Sequence, residues 1–173
     1  MENQPETTLV ELIRYNNWAN RQVLAACQEL TPDQLAAAAS GTYGTIRDTL
    51  IHIIRAEAAY VGRITGDRPQ PSFKWEDQPA LADIAAFAGQ VAGALLDTVQ
   101  RIPPTYMVHE EADGQFIDYQ ARHLYIQTID HGIEHRTNIT TILSALSLAV
   151  PEIDGWGYLF AHPERFEMKE GSL

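Results

Sequence analysis

Cysteine is almost absent from this chain. Cys27 is the only one in 173 residues, so no intrachain disulfide can form and a zinc cluster built on thiolates is excluded. Its setting, VLAACQEL, reads as helix, where a lone cysteine serves as a small buried hydrophobe. Basic residues are scarce as well: 12 Lys and Arg stand against 23 Asp and Glu, a net charge of −11. Nucleic-acid binding needs clustered Lys and Arg to neutralise phosphates. No such cluster exists, so neither nucleic acid nor an anionic membrane surface is an expected partner. No apolar run approaches the roughly 20 residues that span a bilayer. The opening MENQPETTLV has neither the basic start nor the apolar stretch of a signal peptide, and the expected location is the cytoplasm.

What is present is ordinary globular material, 45% hydrophobic and 20% charged, and the length suits one domain over residues 1–173. Its periodicity is helical from end to end. Leu9, Leu12, Ile13, Val23 and Leu24 recur at helical spacing through about residues 6–29. Thr31-Pro32-Asp33-Gln34 carries a Thr N-cap, Pro at the first helical position and Gln three residues on. That signal opens only a short helix, because Gly41 and Gly44 interrupt soon after. The second long helix begins at a capping box, Thr45-Ile46-Arg47-Asp48, and runs to Gly66, with Ile46, Leu50, Ile53, Tyr60 and Ile64 on one arc.

Residues 67–79 (DRPQPSFKWEDQP) read as a loop. A loop of that length can carry the chain from one end of a bundle to the other, so that the second and third long helices run parallel. An Ala-rich helix over about 80–101 is stopped by Pro103-Pro104. Tyr106-Met107-Val108 and Phe116-Ile117 then flank Asp113-Gly114, a favoured type I′ turn that predicts a small β-hairpin. The last long helix covers about 120–147 and stops before Pro151. Trp156, Tyr158, Leu159 and Phe160 point to a short closing helix packed on the bundle.

The strongest chemical signal is His131-Gly132-Ile133-Glu134-His135. Two histidines four apart on a helix leave it about 40° apart, close enough for both imidazoles to reach one metal ion. Leu124, Thr128, Asn138 and Ile142 share that face. Ile126, Ile129 and Ile133 form a second apolar stripe on roughly the opposite side, so this helix is expected to be central in the bundle or part of a subunit interface. His52 is the candidate third ligand. Its helical neighbours Thr45, Thr49, Ala56 and Ala59 are all small, which leaves a concavity for a metal and a substrate. The competing reading of His52 is a buried side chain hydrogen-bonded to a backbone carbonyl. His109, His123 and His162 lie off this face and read as exposed or structural.

HGIEH also matches, literally, the H-x-x-E-H of the inverted zincins, in which the Glu is the base. That class has another carboxylate ligand well downstream on a following helix, whereas only 38 residues follow His135 here and no strand-rich setting surrounds it. The order of motifs instead resembles the DinB/YfiT-like family. It runs from Tyr15-Asn16-Asn17-Trp18-Ala19-Asn20 to TIRDTLIHIIRAEAAYV with His52, then IDHGIEHRTNI, then LSLAVPEIDGWGYL. The resemblance covers nearly the whole chain. It implies an all-α, four-helix bundle of up-down-down-up topology, commonly a homodimer, with a divalent metal on His52, His131 and His135. Zinc is the first expectation, with nickel or iron as alternatives. Characterised relatives include thiol-dependent S-transferases, isomerases and hydrolases.

Three neutral imidazoles would leave an ion its full charge and an open position, as in catalytic rather than structural zinc sites. Such an ion brings a bound water or thiol to ionise near pH 7, so a metal-dependent hydrolase and a thiol-dependent transferase follow equally, and the expected partner is a small molecule, a thiol in the second case. Glu134, about 60° around the helix from His131, is the candidate base. Its competing role is a salt bridge with Arg136 or Arg122. Asp130 and Glu57 are candidates for orienting an imidazole N–H. The alternative function is a non-catalytic dimeric bundle that sequesters metal or carries none.

Overall fold

The computed structural model describes residues 7–112 and 114–165. Four long helices form the bundle: α1 (Thr8–Cys27), α3 (Ile46–Thr65), α4 (Leu81–Arg101) and α5 (Arg122–Ala145). A short α2 (Pro32–Leu35) follows α1, the strands β1 (Met107–Ala112) and β2 (Gln115–Gln120) separate α4 from α5, and α6 (Gly155–Phe160) follows α5, with a single 3-10 turn (Pro163–Arg165) after it. Thr7 accepts from the Val10 N–H at the start of α1, and Thr31 and Gln34 make the reciprocal capping box expected for α2. Thr45 caps α3 by accepting from the Asp48 N–H. The box there is one-sided, because the Asp48 carboxylate accepts from the Thr45 hydroxyl rather than from its backbone N–H. Gly66 ends α3 with φ +78°, a left-handed cap that favours glycine.

Which residues meet at each end fixes the directions of the helices. Val10 and Ile13 of α1 pack with Leu124 and Tyr125 of α5, and with Tyr60, Val61 and Ile64 from the end of α3 and Leu95 and Val99 from the end of α4. At the other end Val23, Leu24 and Cys27 meet Ile139, Ile142 and Leu143, together with Ile46, Leu50 and Ile53. Hence α1 and α5 run one way and α3 and α4 the other, the expected up-down-down-up arrangement. Each fully buried aliphatic side chain of this kind contributes about 1.5–3 kcal/mol. Cys27 is completely buried in this core, and desolvation pushes its thiol up to about 12, so it packs and does not react.

The loop between α3 and α4 makes the parallel crossover. It lies along their seam, where Phe73 and Trp75 stack edge-on against each other and against Phe87. Gly62 permits this, since a Cβ there would come within 2.6 Å of the Arg68 Cβ. The hairpin forms with Val108 opposite Tyr119 and Ala112 opposite Gln115. Gly114 has φ +75°, while Asp113, its expected turn partner, lies outside the described residues.

The second apolar stripe of α5 is covered only at Ile129, which packs on the core; Ile126 is 62% and Ile133 47% exposed, so of the two places expected for this helix the centre of the bundle is excluded and the subunit interface is not. In the closing helix only part of the aromatic set packs inward. Tyr158 meets Tyr15 and Trp18 edge-on, whereas Trp156 and Phe160 face outward. Averaged over its length, α4 is long and apolar enough to cross a membrane although no unbroken apolar run exists. Its Ile84, Phe87, Val91, Leu95 and Val99 are nonetheless buried in the bundle.

Candidate metal centre

His131 and His135 leave α5 on the face that packs against α3, and His52 meets them from α3. The His131 Nε2 lies 2.8 Å from the His52 Nε2. One donor nitrogen from each of the three lies within 4.8 Å of the others. The rings crowd at 4.3–4.7 Å between centroids. His131 and His135 are buried and His52 is half-buried, so the cluster is closed on its α5 side and open beside His52.

That setting favours the neutral form of His131 and His52. Burial, then the charges that His135 and His52 would carry, lowers the His131 pKa to about 4. His52 is lowered by burial, then by His135 and Arg55, against a smaller opposing pull from Glu134. Neutral imidazole is the form that binds metal. Two Nε2 atoms facing each other at 2.8 Å can share one proton, or both can direct lone pairs at one cation. Donors on a tetrahedral ion with bonds near 2.05 Å would stand ~3.3 Å apart, within the range the three nitrogens span. The donor set therefore fits a divalent ion. One feature departs from a well-supported site: the Nδ1 atoms of His131 and His135 are buried with no hydrogen-bond partner among the described residues. Ligand histidines usually hand that N–H to a carboxylate or carbonyl.

A residue outside the sequence-derived set completes the centre. Tyr43 stacks on His52, centroids 4.2 Å apart and planes 20° apart, and meets His135 edge-on at 5.0 Å. It is held there from α5, because Asn138 accepts the Tyr43 N–H at 2.6 Å through Oδ1 while donating to the Glu134 carbonyl. Beside His52 opens a cavity of about 660 Å³ lined by Tyr43, Gly44, Asp48, Ile51, Arg55 and Ala56. Of the four small residues around His52, only Ala56 lines it; Thr49 is buried and bonded to the Thr45 carbonyl. The competing reading of His52, a backbone-bonded core histidine, does not hold, since its Nε2 faces His131.

The predicted supporting carboxylates fall elsewhere. Asp130 is exposed. Glu57 is buried but touches no imidazole: its Oε1 accepts from Asn16 at 2.7 Å and Asn20 at 2.8 Å. The same two asparagines accept from Arg136 Nη1, each at 2.7 Å. Arg136, 1% exposed, thus turns away from Glu134, which excludes that salt bridge. Gly132 makes the network fit, because a Cβ there would stand 2.4 Å from the Asn16 Oδ1 and 2.6 Å from the Arg136 Nη1. Glu134 itself is exposed on the α5 side and acts on His52 through its charge. His109 pairs with Asp118 on the exposed hairpin, His162 bonds the Tyr158 carbonyl and His123 is exposed, all three away from the centre.

The sequence profile of the DinB family matches residues 1–168. The chain belongs to the DinB family. No curated protein matches it. In this DinB-family bundle the three-histidine cluster could hold a divalent ion. Tyr43 and the Asn16–Asn20–Glu57–Arg136 network are what a reading of the sequence missed. For the network one signal was available, a glycine in the middle of a helix between two histidines, where close approach of a neighbour is the usual reason.

Proposed function

We propose that this protein is a metal-dependent enzyme, a hydrolase or thiol-dependent S-transferase, that holds a divalent ion on His52, His131 and His135. The observation that carries the reading is the convergence of three histidine donor nitrogens within 4.8 Å, one of them on His52, which lines an open cavity. An ion held there supplies Lewis acidity that ionises water or a thiol near neutral pH. Zinc suits an all-imidazole set best, with nickel and iron as alternatives.

The chain's own residues would do the rest. His131 and His135 are fixed by burial, and Tyr43 lies over His52 and His135, limiting how much water reaches the centre. Glu134, exposed beside His52, is the base: its carboxylate takes up the proton that the thiol or water gives up. The exposed Ile126 and Ile133 support a homodimer built on the outer face of α5. A non-catalytic dimer that sequesters metal is the second reading, favoured by the two Nδ1 atoms without acceptors.

The test is turnover of thiol-transfer and ester- or amide-hydrolysis substrates with and without chelator. Glu134→Gln should retain metal and lose at least about tenfold in rate. Unchanged turnover would remove Glu134 from the mechanism. Metal-loaded protein inert to the whole panel would favour the sequestering dimer.

A further inference from the structure

The wall of the cavity beside His52 carries charges of opposite sign at its two ends. Asp48 precedes His52 by four residues and Arg55 follows it by three, and all three line the same space. On a helix that sets the carboxylate and the guanidinium ~10 Å apart along the axis, with the imidazole between them. The Asp48 carboxylate is engaged by the Thr45 hydroxyl at 2.7 Å. Arg55 is different. Its guanidinium carbon lies 5.6 Å from the centre of the Trp75 ring, and among the described residues its N–H groups make no hydrogen bond or ion pair. Trp75 is itself fixed by Phe73 and Phe87. A guanidinium laid on an aromatic face keeps its planar fork of donors free and pre-oriented, the arrangement suited to a carboxylate or phosphate.

In a chain of net charge −11, an exposed arginine held in this way beside the candidate centre is a local exception to the surrounding field. The repulsive Asp48 end makes the orientation one-sided: an anionic group is favoured only toward Arg55. We infer that the cavity binds a small molecule bearing one anionic group, which Arg55 receives. Its reacting group then lies about one helical turn away, at His52. Arg55 is thus a specificity-determining residue for an anionic substrate. This rests on the metal-centre reading proposed above.

The experiment compares two thiols that differ in charge, mercaptopropionate and mercaptoethanol, binding to cobalt(II)-loaded protein. Binding is read from the thiolate-to-cobalt absorption band, with no turnover required. In Arg55→Gln, mercaptopropionate should bind about tenfold more weakly than in the native chain, while mercaptoethanol binds equally to both. The neutral thiol reports that the pocket is intact in the variant, and any gain from chelation by the carboxylate is common to both proteins. Arg55→Lys should recover part of the loss. If both thiols bind but Arg55→Gln changes neither, or weakens both alike, the anionic subsite is wrong and the metal-centre reading stands. If neither thiol alters the cobalt spectrum of the native protein, the inference falls together with the thiol reading beneath it.

Discussion

On the side of α5 that faces α1, Arg136 is buried with Asn16, Asn20 and Glu57; on the side that faces α3, His131 and His135 meet His52. Both groups are polar and inside the bundle, and they sit on consecutive residues. The first is nearly complete in itself. Two asparagine amides donate to the Glu57 carboxylate and accept from the Arg136 guanidinium, leaving only Nη2 without a hydrogen bond while the group lies 5.9 Å from the Tyr15 ring. The second is incomplete. Three nitrogens converge with at most a proton between two of them, and two further nitrogens are buried without partners. Buried polar groups are ordinarily satisfied; the three converging nitrogens are compatible with a metal ion, while the two Nδ1 atoms lack the acceptor that ligand histidines usually have. The comparison separates a structural polar core from a candidate metal site on the same helix.

The sharpest break would come at Arg136. Arg136→Met leaves the Glu57 carboxylate buried without its compensating charge, and unfolding in denaturant should show a loss of about 3–5 kcal/mol. A loss under about 1 kcal/mol would mean that the network does not stabilise the fold. Next comes Gly132→Ala. Its methyl would press on the Asn16 Oδ1 and Arg136 Nη1, and the same measurement should show about 1–3 kcal/mol. An unchanged or raised stability would show that the close approach relaxes freely.

These residues also show what was legible in the sequence. The four-residue spacing of His131 and His135 is a local property of one helix, and the order of His52 and H-x-x-x-H carried the third ligand. The helix between the Thr45 cap and Gly66, the parallel crossover and the hairpin were readable from caps, prolines and turn residues. Arg136 was not, because its partners lie 116 and 120 residues away and nothing local says which way the side chain turns. Tyr43 was invisible for a similar reason: it sits in a connection whose place is set by Asn138 across the bundle. For Ile126 and Ile133 the sequence left two places open, bundle centre or subunit interface, since periodicity reports a stripe and not what packs on it.

A smaller effect concerns pH. Ligand imidazoles must be neutral, and the His131 pKa is lowered from 6.5 to about 4. His131 should therefore stay available as a ligand as pH falls through 6.5, and release of metal followed by equilibrium dialysis should be centred below 6.5. Release centred at 6.5 would contradict the burial argument. The same shift has a definite sign for stability. A histidine held neutral in the fold but titrating normally when unfolded costs the metal-free protein stability as pH drops from 6.5 toward 4. The smallest effect is expected at Tyr43. Tyr43→Ala uncovers His52 and His135 without removing a ligand, so extraction of metal by a chelator should speed up a few-fold while stoichiometry is unchanged. An unaltered rate would show that the ring does not limit access.

The most direct test weighs the metal per chain of untagged native protein, purified without added metal, against His131→Ala, alongside the melting temperature of each after metal removal. The account predicts about one equivalent in the native chain and none in the variant. Metal-free melting temperatures should agree to within about 4 °C, because the histidine cluster serves a ligand rather than the fold. Native protein without metal, or a variant that keeps it, would contradict the claim that these three histidines are a metal centre.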